Sequence, residues 1–231
     1  MRSIPSHRDV RRISDAVMGL RVQLKIPHRE NFPLIEFLEF DVSKLKNYAD
    51  FRLVMGTDER FPEGVLAFAM GSPLQIVVRD RIYCDAVSGD TSARHALAHE
   101  LGHILLGHVG RHEDNRNTLI LADKSTRKLE WEADEFASEL LVPSHVARAL
   151  TSCEIAYKFD VSVDFAVRRL KVLKERDKAR KAGLSLRESA MANSQLDRFV
   201  DSPLYCTRPK FLDAIRTSCS PTEVMNRTFR I

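Results

Sequence analysis

Apolar residues recur at helical spacing near the start of the chain and then alternate over shorter runs. The helical pattern predicts one helix over Val10 to Leu24 and a second helical stretch from Phe32 to about Leu45. Three short β-prone runs follow at 51–55, 65–70 and 74–78, separated by turn-forming residues. The first third of the sequence therefore predicts packing helices and then a small mixed or antiparallel sheet.

Helical patterns return in the second half of the chain. Residues 95–108 are rich in apolar side chains, and Thr91 or Ser92 offers an N-cap to their helix. Residues 129–143 have one apolar helical face, and residues 152–173 predict two helices joined by a turn. This last pair resembles half of a helix-turn-helix motif, although an ordinary helical hairpin is the favoured interpretation. Helices surrounding a small sheet predict the α+β class.

A metal-binding pentapeptide, His99-Glu100-Leu101-Gly102-His103, lies within the apolar segment at 95–108. Residues four apart share one face of a helix, so His99 and His103 can both point at one ion, with Glu100 beside it as a base. The pattern also arises by chance, and the alternative is two hydrogen-bonded histidines on an amphipathic helix. The apolar surroundings favour a metal, because buried imidazoles need partners.

A catalytic zinc ion takes three protein ligands and leaves one position for water, so a third ligand is required. The segment at 129–143 contains four glutamates. In helical projection Glu130 lies about 50° from the centre of its apolar face, and Glu132 about 110° away. A carboxylate near a packed face needs a cation, which predicts Glu130 as the ligand. Asp134 is predicted to accept the free ring N–H of a ligating histidine, the alternative being a solvated acidic edge.

The HELGH helix followed by E-x-E-A-D-x-F-A-x-x-L-L-V-P resembles the ImmA/IrrE family of metallopeptidases over Val78 to Pro143. The resemblance implies a small zincin-like α+β domain in which two histidines and a downstream glutamate hold Zn²⁺. It also implies a partner, because family members often sit beside, and in several cases cleave, helix-turn-helix repressors. The chain departs from the family in carrying His95, and its last fifty residues match nothing in it.

The same resemblance suggests how a substrate is held. In zincin-like proteases the strand before the metal helix lies over the site, and an extended substrate adds to its edge. Gln75 to Asp85 is predicted to be that strand. Candidates for stabilising the oxyanion are His108, His112, His145 and Tyr157.

Composition places the chain in the ordinary globular class, since 44% of its 231 residues are hydrophobic and 29% are charged. It has no apolar run of the roughly 20 residues that a membrane span needs, and no signal peptide, which predicts a cytoplasmic protein. The four cysteines are widely spaced without a C-x-x-C pair. This spacing argues against a disulfide framework and against a thiolate zinc site.

Charge divides the chain into two predicted parts. Residues 1–173 are predicted to form the metallopeptidase domain, and residues 174–231 a basic extension of unknown role. From Arg168 to Ile231 there are 15 Lys or Arg against 7 Asp or Glu, a balance of +8. A solvated basic helix is the ordinary interpretation, and a surface for a nucleic-acid effector is the sharper one.

Two functions remain after these observations. The first is a zinc-dependent endopeptidase acting on a protein, expected to be a repressor of a mobile element, defence or stress operon. The alternative is a metal-stabilised regulatory or toxin-antitoxin protein that binds a repressor or nucleic acid without turnover. Glu100 favours the enzyme, because structural metal binding has no use for a carboxylate base.

Overall fold

The protein consists of a three-stranded mixed sheet with helices packed around it. The structure is a computed structural model, and it describes residues 7–61, 63–109 and 125–182. The α+β class predicted from the sequence is confirmed. The strands are β1 (Arg52–Gly56), β2 (Ala67–Gly71) and β3 (Leu74–Arg79). The helices are α1 (His7–Gln23), α2 (Leu34–Glu36), α3 (Asp80–Val87), α4 (Thr91–Leu105), α5 (Ser125–Leu141), α6 (Ser144–Ala147), α7 (Ser152–Phe159) and α8 (Val163–Lys181).

The two predicted N-terminal helices are present. Helix α1 buries Ile13, Val17 and Leu20 at the spacing that the sequence pattern requires. The second stretch begins as α2 and continues as a π-helical turn and a 3-10 turn that ends at Lys44. Arg21 of α1 is fully buried and donates to the carbonyl of Leu140 at 2.8 Å, which joins α1 to α5.

The sheet has the order β1-β3-β2, with β1 parallel and β2 antiparallel to β3. The prediction that Gln75 to Asp85 forms an edge strand is therefore wrong in two respects. Strand β3 is paired on both sides, so it has no edge for another chain. Its alternating burial ends at Arg79, and the buried Ile82 and Ala86, four residues apart, belong to helix α3.

Strand β2 is the edge strand that lies against helix α4. The amide of Arg79 donates to the carbonyl of Leu66 at 3.1 Å, which makes that pair a hydrogen-bonded one. Because hydrogen-bonded and open pairs alternate in an antiparallel ladder, the pair Ala69 and Ile76 is open. The N–H of Ala69 therefore points away from β3.

Helices α4 and α5 cross at Gly102. A Cβ atom at this position would lie 3.1 Å from the Ala133 carbonyl oxygen and 3.1 Å from the ring of Phe136. Only glycine allows this approach without a shift of one helix. The N-cap of α4 is Asp90, whose carboxylate accepts from the amide of Ala93 at 2.7 Å, which corrects the predicted Thr91 or Ser92.

The predicted pair of C-terminal helices is α7 and α8, and its residues Ile155, Phe159 and Phe165 belong to the main core. The pair thus packs as a helical hairpin closing the domain. Helix α8 continues past the predicted boundary at 173 to Lys181, and 183–231 lie outside the described residues. No helix in the described part of the chain combines the length and apolarity that a membrane crossing requires.

Candidate metal centre

Two buried histidines on successive turns of α4 form the base of the site. The Nε2 atoms of His99 and His103 lie 3.0 Å apart, and the two rings meet edge to face. Their four-residue spacing puts both on one side of the helix, as the sequence predicts. Two buried ring nitrogens are thereby aimed at one point in space.

Helix α5 brings Glu130 to that point. Its Oε2 atom lies 3.2 Å from Nε2 of His99 and 3.5 Å from Nε2 of His103. Among the residues that the structure describes, these three make the one cluster of histidine, cysteine and carboxylate groups that could hold a metal ion. The structure therefore brings together the three predicted ligands.

The separations of the three atoms fit a zinc ion. In tetrahedral zinc sites with metal–ligand distances of about 2.0–2.1 Å, ligand atoms lie about 3.3 Å from one another. The observed separations of 3.0, 3.2 and 3.5 Å bracket this value. Two imidazole nitrogens and one carboxylate oxygen are also a donor set that catalytic zinc uses, with a fourth position left open.

The electrostatics of the cluster favour a positive charge. Burial acts to lower the pKa of His99, but its hydrogen bond to Glu130 and the nearby charge of Glu100 outweigh burial and raise the pKa. Carboxylates thus dominate the potential at the ring nitrogens. A cation placed among the three side chains would be stabilised by the same charges.

Glu100 lies next to the cluster and is held by the edge strand. Its Oε2 accepts the outward N–H of Ala69 at 2.7 Å, and the side chain is buried. Because Ala69 and Ile76 form an open pair in the β2–β3 ladder, the N–H of Ala69 is turned toward the predicted base. The bond also fixes the orientation of the carboxylate.

Asp134 lies close to a different histidine. Its Oδ1 atom is 3.4 Å from Nε2 of His95, which also lies 3.3 Å from the hydroxyl of Ser138. Burial lowers the pKa of His95, and its ring packs against Phe165. His95 is thus a packing residue beside the site, and the role of Asp134 toward a ligating histidine stays a prediction.

A contact that sequence reasoning missed lies behind His103. Nδ1 of His108 is 3.1 Å from Nδ1 of His103, and Nε2 of His108 is 3.1 Å from Oε2 of Glu132. Glu132 is only 3% exposed, and its other oxygen lies 2.7 Å from Nη2 of Arg12 in α1. Helical projection placed Glu132 far from the apolar face, yet other polar side chains cover it.

The end of helix α4 explains how His108 reaches His103. Gly107 has a φ of +74°, its N–H bonds to the carbonyl of Ile104, and the N–H of His108 bonds to the carbonyl of His103 at 2.8 Å. These two bonds make a Schellman motif, which turns the chain back over the last helical turn. The Leu-Gly-His sequence after the helix carried this information.

The predicted oxyanion-stabilising residues are not gathered at the cluster. His108 contacts His103 on its Nδ1 side, away from the nitrogen that faces Glu130, so this prediction is wrong for His108. Tyr157 is 93% exposed on α7, and His145 packs edge-on against His28. His112 lies outside the described residues.

Comparison with known proteins identifies a family. No curated protein sequence matches the chain. The family model of the IrrE N-terminal-like domain, Peptidase_M78, matches residues 53–171, which include nearly all of the sheet, both helices of the cluster, α7 and the first half of α8. With more than half of its length matched, the chain belongs to the family of IrrE N-terminal-like peptidases.

Proposed function

We propose that this protein is a zinc-dependent endopeptidase. The observation that carries the proposal is the convergence of His99, His103 and Glu130 beside a buried Glu100 that the edge strand orients. Zinc bound there would acidify a water molecule and polarise the carbonyl of the scissile bond.

Glu100 supplies the proton transfers in this proposal. Its carboxylate takes a proton from the attacking water and later gives a proton to the leaving amine. The Ala69 bond holds one oxygen of the carboxylate, so the group is oriented before substrate arrives. A protein that uses zinc only to stabilise its fold needs no carboxylate at this place.

The edge of β2 offers the substrate a place to bind. The ladder alternation that turns Ala69 outward also turns the main-chain groups of Ala67 and Gly71 toward the open edge. An extended peptide can add to such an edge by main-chain hydrogen bonds. It would then lie beside Glu100 and the three proposed ligands.

The substrate class comes from the family resemblance. We propose a helix-turn-helix repressor, whose cleavage would derepress a mobile element, a defence operon or a stress operon. A second function, binding of the repressor without turnover, uses the same metal cluster but makes Glu100 dispensable. Activity of the Glu100→Gln variant separates the two.

Helix α8 gives the proposed nucleic-acid effector a defined surface. Lys171, Lys174, Lys178 and Lys181 recur every three or four residues and are exposed, although Lys178 also pairs with Glu175 at 3.0 Å. Lysines at this spacing share one face of a helix and can contact successive phosphates. We propose that nucleic acid bound along this stripe controls cleavage.

The test uses the full chain, Zn²⁺ and a purified helix-turn-helix repressor of the kind that the family resemblance implies, with cleavage followed by mass spectrometry. Wild type should cut the repressor, and Glu100→Gln should keep its zinc but leave the repressor intact. Cutting by purified Glu100→Gln contradicts the role of Glu100 as base. Repressor that binds wild type but is never cut supports the second function.

The effector is tested with single-stranded and duplex DNA at several salt concentrations. A variant with the four α8 lysines changed to Gln should lose any DNA response. A matched variant changes four exposed lysines elsewhere, Lys25, Lys44, Lys46 and Lys158. If cleavage by wild type does not change with DNA or salt, the effector proposal is contradicted but the proposed peptidase activity is not.

A further inference from the structure

We propose that His108 and Glu132 are positioning residues of the metal centre, which fix the tautomer and orientation of His103 and link it to helix α1 through Arg12. This inference rests on the proposed function, because it assigns the hydrogen bonds that His103 makes when its Nε2 binds zinc. Neither residue belongs to the ligand cluster or to the HExxH pentapeptide.

The proton positions follow from the distances. A neutral imidazole that binds a metal through Nε2 carries its proton on Nδ1. Nδ1 of His103 lies 3.1 Å from Nδ1 of His108, so the His108 nitrogen must accept. His108 then carries its own proton on Nε2, which lies 3.1 Å from Oε2 of Glu132 and donates to it. One tautomer of each ring satisfies both of these hydrogen bonds.

The series of hydrogen bonds from His103 through His108 ends at Glu132, a carboxylate whose charge is balanced by nearby cations. Glu132 is almost completely buried, and a buried carboxylate without a cation is strongly unfavourable. Arg12 donates to its Oε1 at 2.7 Å, and Nζ of Lys128 lies 3.7 Å from the same oxygen. The charge that these cations stabilise makes Glu132 a strong acceptor for His108.

The arrangement brings helix α1 into the metal centre. Arg12 lies outside residues 53–171, which the family model covers. Further contacts fasten α1 along α5, including the bond from the Ser14 hydroxyl to Glu139 at 2.9 Å and the buried bond from Arg21 to Leu140. The N-terminal helix therefore supports a histidine of the proposed zinc site from behind.

The first experiment measures zinc affinity by chelator competition at fixed pH, using the full chain. His108→Leu should weaken zinc binding by roughly 10–100-fold, the range found when a partner of a ligating histidine is removed. His108→Gln should recover part of this loss, because its amide can accept from His103 and donate to Glu132. The control His145→Leu removes an exposed histidine and should leave the affinity unchanged.

A purely structural role for His108 predicts a different pattern. In that case His108→Leu would lower the thermal midpoint of the zinc-free protein, and zinc affinity would fall only because less of the protein is folded. We expect His108→Leu to change zinc affinity far more than the zinc-free midpoint. Equal affinity of wild type and His108→Leu overturns the proposal.

The second experiment reads the tautomers in wild type, so it does not depend on the folding of any variant. Nitrogen NMR of ¹⁵N-histidine-labelled, zinc-loaded protein should show protonated Nδ1 on His103 and protonated Nε2 on His108. A protonated Nδ1 on His108 overturns the inference. Wild type that cleaves its substrate but fails these tests contradicts only this inference, whereas wild type that binds no zinc contradicts the proposed function too.

Discussion

The two ends of helix α5 place carboxylates inside the protein in opposite ways. Near its C-terminal end, Glu135 bonds to Arg169 at 3.1 Å and to Arg176 at 2.7 Å, and Glu139 bonds to Arg169 as well. Near its start, Glu130 faces two imidazoles instead. Guanidinium groups are permanent cations, whereas imidazoles are weak bases that also bind metals. Arginines neutralise Glu135 and Glu139, whereas Glu130 belongs to the candidate metal site.

The pKa values express the same difference. Burial acts to raise the pKa of Glu135, but Arg176 and Arg169 outweigh it and lower the pKa to about 2. At the other end the hydrogen bond to Glu130 and the nearby charges of Glu100 and Asp134 outweigh burial and raise the pKa of His99. Glu135 is thus held as a carboxylate by two arginines, whereas Glu130 lies with His99 and His103 in the candidate metal site.

The largest effect should come from Glu130→Gln compared with Glu135→Gln. We expect Glu130→Gln to weaken zinc binding by more than about 100-fold, since even partners behind a ligand are worth roughly 10–100-fold. Glu135→Gln should keep about one zinc ion per folded chain. Zinc per chain, measured by mass spectrometry after dialysis, checks both. A full complement of zinc in Glu130→Gln would show that Glu130 is not the third ligand.

Arg169→Met is expected to lower the free energy of unfolding while leaving the zinc ligands in place. Arg169 is buried and bonds to both Glu135 and Glu139, so its removal leaves buried carboxylates short of a partner. Breaking a buried pair in this way costs about 3–5 kcal/mol. Urea unfolding of the zinc-free protein measures the loss, and the double variant Arg169→Met, Glu139→Gln should recover part of it. An unchanged free energy of unfolding would mean that water, not Arg169, satisfies these carboxylates.

Acid should weaken the arginine end of α5. The folded pKa of Glu135 is about 2 against an ordinary 4.5, so its ion pairs stabilise the fold fully above pH 4.5. That contribution, roughly 3 kcal/mol, is lost as the pH falls from 4.5 toward 2. The zinc-free stability of Glu135→Gln should fall less steeply over this range than that of wild type. Parallel pH profiles for the two proteins would remove Glu135 as the cause.

Features that depend on neighbouring residues could be predicted from the sequence, whereas features that depend on distant segments could not. His99 and His103 follow from spacing within one helix, and Glu130 from the projection of another. The edge strand was assigned wrongly because strand pairing depends on distant segments. The burial of Glu132 could not be predicted, since Arg12, which covers it, lies 120 residues away. The contact between His108 and His103 was local, and the glycine after α4 would have indicated it.

The smallest expected effect tests the crossing that joins the two helices of the metal cluster. Gly102→Ala would place a methyl group 3.1 Å from both the Ala133 carbonyl oxygen and the Phe136 ring. Overpacking of this kind costs about 1–3 kcal/mol, and here it pushes α5, with Glu130, away from α4. We therefore expect a modest loss of stability together with weaker zinc binding. Gly19→Ala, where nothing lies within 4 Å of an added Cβ, is the matched control on α1 and should leave zinc binding unchanged. Zinc affinity that stays at the wild-type value in Gly102→Ala, despite lower stability, would show that the cluster tolerates a displaced α5.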